Sequence, residues 1–208
     1  MIHILCTDIS GIDDTQYGLL YRAASFQRQQ RADRFRNRKD SICCIVAEVL
    51  LRTALSRRFG QWHNYTISCT PQGKPYLAGQ ADFHFSISHS GRWVVLAYGS
   101  TELGIDIQLV DPQKARPAMV KRVFTPEEQR FLSQGHPTDF FRLWTGKESY
   151  LKYLGTGLSK SLTSFSVLSP ETGIHYFWEM LDEHVLCLCT REQQYRLEQI
   201  CIKNAPAL

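Results

Sequence analysis

Nowhere does the sequence carry an apolar run approaching the roughly 20 residues that cross a bilayer. It opens without a basic-then-apolar leader, so a cytoplasmic location is expected. It has no CxxC pair, and its seven cysteines (Cys6, Cys43, Cys44, Cys69, Cys187, Cys189 and Cys201) are an odd number. That pattern argues against a disulfide framework and against structural zinc. Cys187 and Cys189 alternate with Leu186 and Leu188 in an apolar segment and read as buried small hydrophobes. There is no internal repeat, no low-complexity tract and no Gly/Ser-rich linker. Charge of one sign is not in large excess: 24 Lys+Arg stand against 20 Asp+Glu, a formal net charge of +4. This mild basic bias suits an acidic partner or a phosphorylated small molecule. What is present is globular, with 43% hydrophobic and 21% charged residues in 208, enough for one compact unit or two small lobes.

Taken in order, residues 2–6 read as a short strand and residues 17–26 as a helical segment. A basic tract follows: Arg22, Arg28, Arg31, Arg34, Arg36, Arg38 and Lys39 against one acid, Asp33. It fits either a solvated helix face or a phosphate-binding surface, because guanidinium forks match phosphate oxygens. Asp40 reads as the N-cap of a helix whose stripe of Ile42, Ile45, Val46, Val49, Leu50, Thr53 and Ala54 is scaffold without chemistry. Residues 65–69 alternate like a strand, and Gly73-Lys74-Pro75 lies in a turn. In FHFSISHS, Phe83, Phe85 and Ile87 share one face while His84, Ser86 and Ser88 share the other. Ser88, His89 and Ser90 before Gly91 offer donors where a ligand could approach closely. Residues 93–98 and 103–109 suggest an antiparallel hairpin, with Gly104, Asp106 and Gln108 on one face. A short helix is expected over 114–122. Thr125-Pro126-Glu127-Glu128 reads as a capping-box start that accounts for Glu128. Residues 164–168, 175–181 and 185–190 look like an antiparallel sheet.

The stretch FFRLWTGKESYLKYLGTGL, residues 140–158, reads as a helix with Asp139 as N-cap and Gly155 as a left-handed stop. Trp144, Glu148 and Lys152 share one face at i, i+4 and i+8, with Phe141, Leu151 and Leu154 seating the helix. Alone, Glu148 and Lys152 are satisfied as a surface ion pair. Together with Asp106 on a strand they describe more. Two carboxylates can share Mg²⁺ with substrate phosphates and water, Gln108 offers a neutral oxygen, and Lys152 can neutralise a phosphate in the transition state. With the arginine tract, Lys74 and His89, that is a phosphoryl-transfer constellation.

The constellation resembles the 4′-phosphopantetheinyl transferases, specifically the long single-chain type acting on carrier proteins of peptide and polyketide synthesis. The resemblance rests on GKP at 73–75, FSISHSGRWVVLA at 85–97, GIDIQ at 104–108 and LWTGKESYLKYLGTGLS at 143–159, with KRVF before the TPEE helix start. It runs from the arginine tract to about Val167. The paired GIDI and WxxKExxxK motifs in this order are specific, whereas either alone is weak.

The resemblance implies an α+β fold of two similar lobes related by pseudo-twofold symmetry, each a small antiparallel sheet packed with helices, here 1–102 and 103–208. Coenzyme A would lie between them. Asp106, Gln108 and Glu148 would be the metal side chains, with Glu148, Asp106 and Lys152 catalytic. Arg28, Arg31, Lys74, Ser88 and His89 would contact coenzyme A. Mg²⁺ is the implied cofactor, apo acyl or peptidyl carrier proteins the partners, adenosine 3′,5′-bisphosphate the by-product, and a monomer without nucleic-acid or membrane binding the expected state. Many family members have Glu where this chain has Gln108, which leaves the metal with two protein carboxylates.

Two other classes fit parts of the pattern. A metal-dependent nuclease uses acid–acid–lysine sites, but its lysine usually follows the acid by two residues, whereas Lys152 follows Glu148 by four. A nucleic-acid or acidic-protein binder built on the arginine tract would lose affinity steeply with salt and ignore Asp106 and Glu148. Residues 115–124, with Lys121, Arg122, Met119 and Phe124, are the expected dock for an acidic carrier helix.

Overall fold

A computed structural model describes residues 1–60 and 65–202. Its strands form two main sheets. The first has the order β4 (His84–Ser90), β5 (Trp93–Gly99), β1 (Ile2–Asp8), β9 (Tyr195–Gln199); β9 joins β1 in parallel while the other pairs are antiparallel. The second is antiparallel, in the order β6 (Leu103–Leu109), β8 (His184–Thr190), β7 (His175–Leu181). A small β2–β3 ribbon (Ile67–Cys69, Pro75–Leu77) stands beside them. The helices are α1 (Asp14–Ala23), α2 (Phe26–Ala32), α3 (Arg38–Phe59), α4 (Pro117–Val123), α5 (Pro126–Gln134) and α6 (Pro137–Leu154). This is the α+β arrangement of small sheets packed with helices that the sequence led us to expect. No helix among the described residues is long and apolar enough to cross a membrane.

Burial follows the strand period. Leu5, Val94, Leu96, Phe83 and Phe85 pack under α3 against Val46, Leu50 and Ala54. The other face of the first sheet, with Ile2, Ile4, Val95 and Ala97, meets Leu103, Ile105, Ile107, Leu186 and Leu188 of the second. The alternate residues of β6 therefore face α6. Gly104 makes that approach possible: a Cβ there would lie 2.0 Å from the Ser149 carbonyl oxygen. With β6 pressed onto α6, the next residue on that face, Asp106, is carried beside the helix.

Several expectations are corrected. Residues 93–98 and 103–109 do not form a hairpin, because β5 pairs with β1 and β4 while β6 pairs with β8. Serines join the two sheets instead. Ser86, Ser88 and Ser90 each accept, through Oγ, the amides of Ile105, Ile107 and Leu109 at 3.2, 3.4 and 2.9 Å. The second edge of β6, which lacks a strand partner, thus spends its N–H groups on hydroxyls. Asn37, not Asp40, caps α3. His136, not Asp139, caps α6, and Asp139 supplies the reciprocal third-position bond of a capping box. That helix ends at Leu154, and Gly155 stops it at φ 70°; Leu154 is 37% exposed and does not seat it. Pro112–Lys114 is a 3₁₀ turn separate from α4, because Pro117 restarts the helix. Residues 164–168 are not a strand; Leu162–Ser164 is a 3₁₀ turn and the chain beyond it pairs with no strand.

Candidate active site

A cleft of about 500 Å³ opens where α2, α3, the β2–β3 ribbon, β4 and α6 meet. Its wall includes Arg28, Arg31, Lys74, Ser86, His89, Glu148 and Lys152. Six of the expected site residues (Arg28, Arg31, Lys74, His89, Glu148 and Lys152) are thus brought together from positions as far apart as 28 and 152 in the chain.

Asp106 is 7% exposed and sits just behind this wall. Its Oδ1 accepts from Lys152 Nζ and from Ser88 Oγ, both at 2.7 Å. Lys152 also donates to the Ile105 carbonyl at 3.0 Å. Because Ser88 Oγ already accepts the Ile107 amide, its hydrogen is committed to Asp106. Ser88 therefore orients Asp106 and does not line the cleft, a different position from the ligand contact expected of it.

Glu148 is half-buried and makes no hydrogen bond or ion pair among the described residues. Burial, then the Asp106 charge, raises its pKa above the ordinary carboxylate value, while Lys152 opposes the shift. A carboxylate without a partner beside a second carboxylate is what a divalent cation stabilises. Mg²⁺ fits this donor set, since it is commonly held by one or two carboxylates with substrate oxygens and water. No cluster of three or more His, Cys, Asp or Glu able to hold a metal is gathered among the described residues. Gln108 lines an adjacent cavity with Gln113, Lys114, Arg116, Met119, Phe140, Phe141 and Trp144 rather than the cleft itself.

Lys74 is held in place. It donates to Glu102 Oε2 at 2.5 Å and to the Tyr153 carbonyl at 2.9 Å, at the C-terminal end of α6. His89 lies below its ordinary pKa, chiefly through burial and then through Lys152 and Arg31; Asp40 and Asp106 pull the other way. The arginine tract divides. Arg28 and Arg31 face the cleft, while Arg38 pairs with Asp14 at 2.6 Å and covers the Tyr17 ring.

Sequence reasoning missed three groups. Asp40, read as a cap, lines the cleft. Glu48 and Arg52, on the helix read as plain scaffold, form a buried ion pair next to Arg28. Lys147, the neighbour of Glu148, points away from the cleft into a sealed site. There its Nζ bonds Glu128 Oε2 at 2.8 Å and the carbonyls of Leu162 and Phe165 at 2.7 Å each. The i,i+4 spacing of Glu48 and Arg52 inside an otherwise apolar stretch was the visible signal for the pair.

Residues 102–202 match the 4′-phosphopantetheinyl transferase superfamily, and residues 13–101 match the 4′-phosphopantetheinyl transferase N-terminal family. A 4′-phosphopantetheinyl transferase of Bacillus subtilis is 37% identical over 183 residues, covering 84% of this chain and 80% of that protein. The chain belongs to the 4′-phosphopantetheinyl transferase superfamily. Within it, the 4′-phosphopantetheinyl transferase Sfp of Bacillus subtilis strain 168 is 36% identical over 166 residues, 77% of this chain and 73% of its own. The L-aminoadipate-semialdehyde dehydrogenase-phosphopantetheinyl transferase of Xenopus laevis is 25% identical over 204 residues, 89% and 67% of the two chains. The protein is accordingly an enzyme of the phosphopantetheinyl-transferring class.

Proposed function

We propose that this transferase moves the 4′-phosphopantetheine group of coenzyme A onto a serine hydroxyl of an apo acyl or peptidyl carrier protein. The observation that carries this reading is the pairing of Asp106 with Lys152 beside the unpartnered Glu148, at a cleft that Arg28 and Arg31 also line. Asp106 and Glu148 would hold Mg²⁺, which when bound neutralises pyrophosphate charge. Glu148, with its pKa raised by burial, suits the role of proton acceptor for the carrier serine. The serine oxygen forms the new bond to the pantetheine-bearing phosphorus as the bond to the other phosphate of the pyrophosphate breaks. Lys152 sits where it can neutralise the phosphate under attack, and adenosine 3′,5′-bisphosphate leaves. His89 and Lys74 line the same cleft and would contact phosphates. Gln108 sits at the border with the adjacent cavity, too weak a donor to replace a carboxylate.

The carrier would meet the face formed by the 3₁₀ turn and α4. Lys114, Arg116, Lys121 and Arg122 are exposed there and Met119 is half-buried, next to the cavity that Gln108 and Trp144 line. Phe124, expected to be part of an exposed apolar patch, is fully buried and cannot serve. Charge would steer an acidic carrier helix to this face. Lys121→Glu/Arg122→Glu should raise KM for the carrier at low salt and leave KM for coenzyme A alone.

The reaction itself is tested by incubating the protein with coenzyme A, Mg²⁺ and several unrelated apo carriers, then weighing the carriers. A gain of one phosphopantetheine unit is expected. No gain on any carrier overturns the reading.

A further inference from the structure

The ion pair beside Arg28 lies on the supposed scaffold helix. Glu48 is 8% exposed, and both its carboxylate oxygens are used. Oε1 accepts from the Ser25 amide at 3.0 Å and from Arg52. Oε2 accepts from Ser25 Oγ at 3.0 Å and lies 3.4 Å from Arg28 Nε. Ser25 is the N-cap of α2, and its Oγ accepts the Arg28 amide at 3.3 Å. The hydroxyl hydrogen is therefore committed to Glu48. Arg52 Nη1 reaches back to the Ala23 carbonyl at 2.7 Å, which ties the same α1–α2 junction to α3.

Two consequences follow. First, α2 has seven residues, too few for a helix to hold itself in water, so its placement depends on such ties. Arg28 and Arg31 both ride on it into the cleft. Second, Glu48 stands between the guanidiniums of Arg28 and the buried Arg52. Glu48 engages Arg28 at Nε, on the stem side of the guanidinium. Nη1 makes only a 3.8 Å contact with Cys44 Sγ, so the terminal fork remains available to the cleft.

We propose that Glu48 is a positioning residue for phosphate binding: through Ser25 and Arg28 Nε it sets α2 and presents Arg28 and Arg31 to an adenosine phosphate of coenzyme A. Pre-setting these side chains removes the ordering cost that a phosphate would otherwise meet on binding. The inference rests on the reading of the cleft as the coenzyme A site.

The test is calorimetric titration of the full-length chain with adenosine 3′,5′-bisphosphate in the presence of a chelator, so that binding is read without metal or turnover. Glu48→Gln keeps the size but places an amide against donors, and should weaken binding about tenfold, a loss of about 1.4 kcal/mol. In steady-state assays the loss should fall on KM for coenzyme A and not on KM for the carrier. Added to Arg28→Ala, Glu48→Gln should cost less than it does in the wild-type chain, because part of its effect passes through Arg28. Ser25→Ala leaves the carboxylate in place and should give a smaller loss of the same kind; if Glu48→Gln fails to fold, this variant decides. Wild-type affinity in a folded Glu48→Gln or, failing that, a folded Ser25→Ala overturns the proposal, as does full additivity with Arg28→Ala. If the wild-type chain does not bind the bisphosphate at all, the coenzyme A reading of the cleft falls and the proposal falls with it.

Discussion

Lys147 and Glu148 are neighbours on α6, yet they live in opposite environments. Lys147 is fully buried and all three of its hydrogens are spent, on Glu128 and two carbonyls. Glu128 is equally saturated, accepting the amides of Thr125 and Val167 at 2.8 Å each. That site joins the start of α5, the middle of α6 and the chain at 162–167, and it has no room for a ligand. Glu148, about 100° further round the helix, faces the cleft with its carboxylate unspent. Satisfied charges hold the lobe together, and unsatisfied ones remain to bind something from solution. The same contrast separates Asp106, with one oxygen engaged by Lys152 and Ser88, from the sealed pair.

The contrast breaks most visibly in the sealed site. Lys147→Met leaves Glu128 buried and unpaired, so we expect a loss of about 3–5 kcal/mol in urea unfolding. The double variant Lys147→Met/Glu128→Gln should recover part of it. A Lys147→Met chain as stable as wild type would show that the pair contributes nothing. At the open site the effect moves from stability to rate. Asp106→Ala and Glu148→Ala should each lower turnover by about 10²–10³-fold or more while the unfolding midpoint changes little. The double variant should be scarcely worse than either single, because both act at one centre. Retained turnover in either single variant would remove that residue from the centre.

Ser88→Ala sharpens the distinction between orienting and binding. It removes the bond to Asp106 and leaves the Ile107 amide without its acceptor, a cost of about 1–2 kcal/mol. Turnover should fall about tenfold with KM for coenzyme A nearly unchanged. A rise confined to KM for coenzyme A would return Ser88 to the role of ligand contact.

The smallest effect concerns an intermediate case. His184 is 3% exposed, nearly as buried as Lys147, yet among the described residues neither ring nitrogen has a hydrogen-bond partner. Burial first, then Arg92, holds its pKa below the ordinary value, while the Leu181 carbonyl, Glu183 and Asp182 oppose this. Its folded pKa is thus below its unfolded one. The neutral form's contribution to stability is complete above about pH 6.5 and is lost as pH falls below that value. The drop in stability between about pH 7.5 and 5.5 should shrink in His184→Leu. An unchanged drop would assign the acid sensitivity to other groups, such as His3, whose pKa is also lowered.

Much of this was legible from residue order. The α6 pattern shows Trp144, Glu148 and Lys152 on one face, the Thr125 capping box forms as written, and Gly155 stops the helix. The alternation in 103–109 places Asp106 and Gly104 on a shared face, which holds. The β5–β6 hairpin failed because adjacent apolar strands with a short connection fit a hairpin locally. What decides against it is the pairing of β1 with β5 and of β8 with β6, across about 90 and 80 residues of chain. Ser86, Ser88 and Ser90 were visible as an alternating polar row. Their use as acceptors for β6 amides depends on which edge they face, and no local pattern encodes that.

The sequence by itself determined the chemistry available: two acids and a lysine in specific motifs, an arginine tract, and the helix and strand periods that carry them. Those depend on side-chain type and on contacts within a few residues. Tertiary structure decided which charges are spent and which are left. Lys147 and Glu148 differ in role because Glu128, 19 residues before Lys147, pairs with it, while no described residue bonds Glu148. Glu48 departs from scaffold because α2 folds back onto it. Whether a charged group is satisfied depends on what arrives beside it from distant parts of the chain, and only the packed fold brings those parts together.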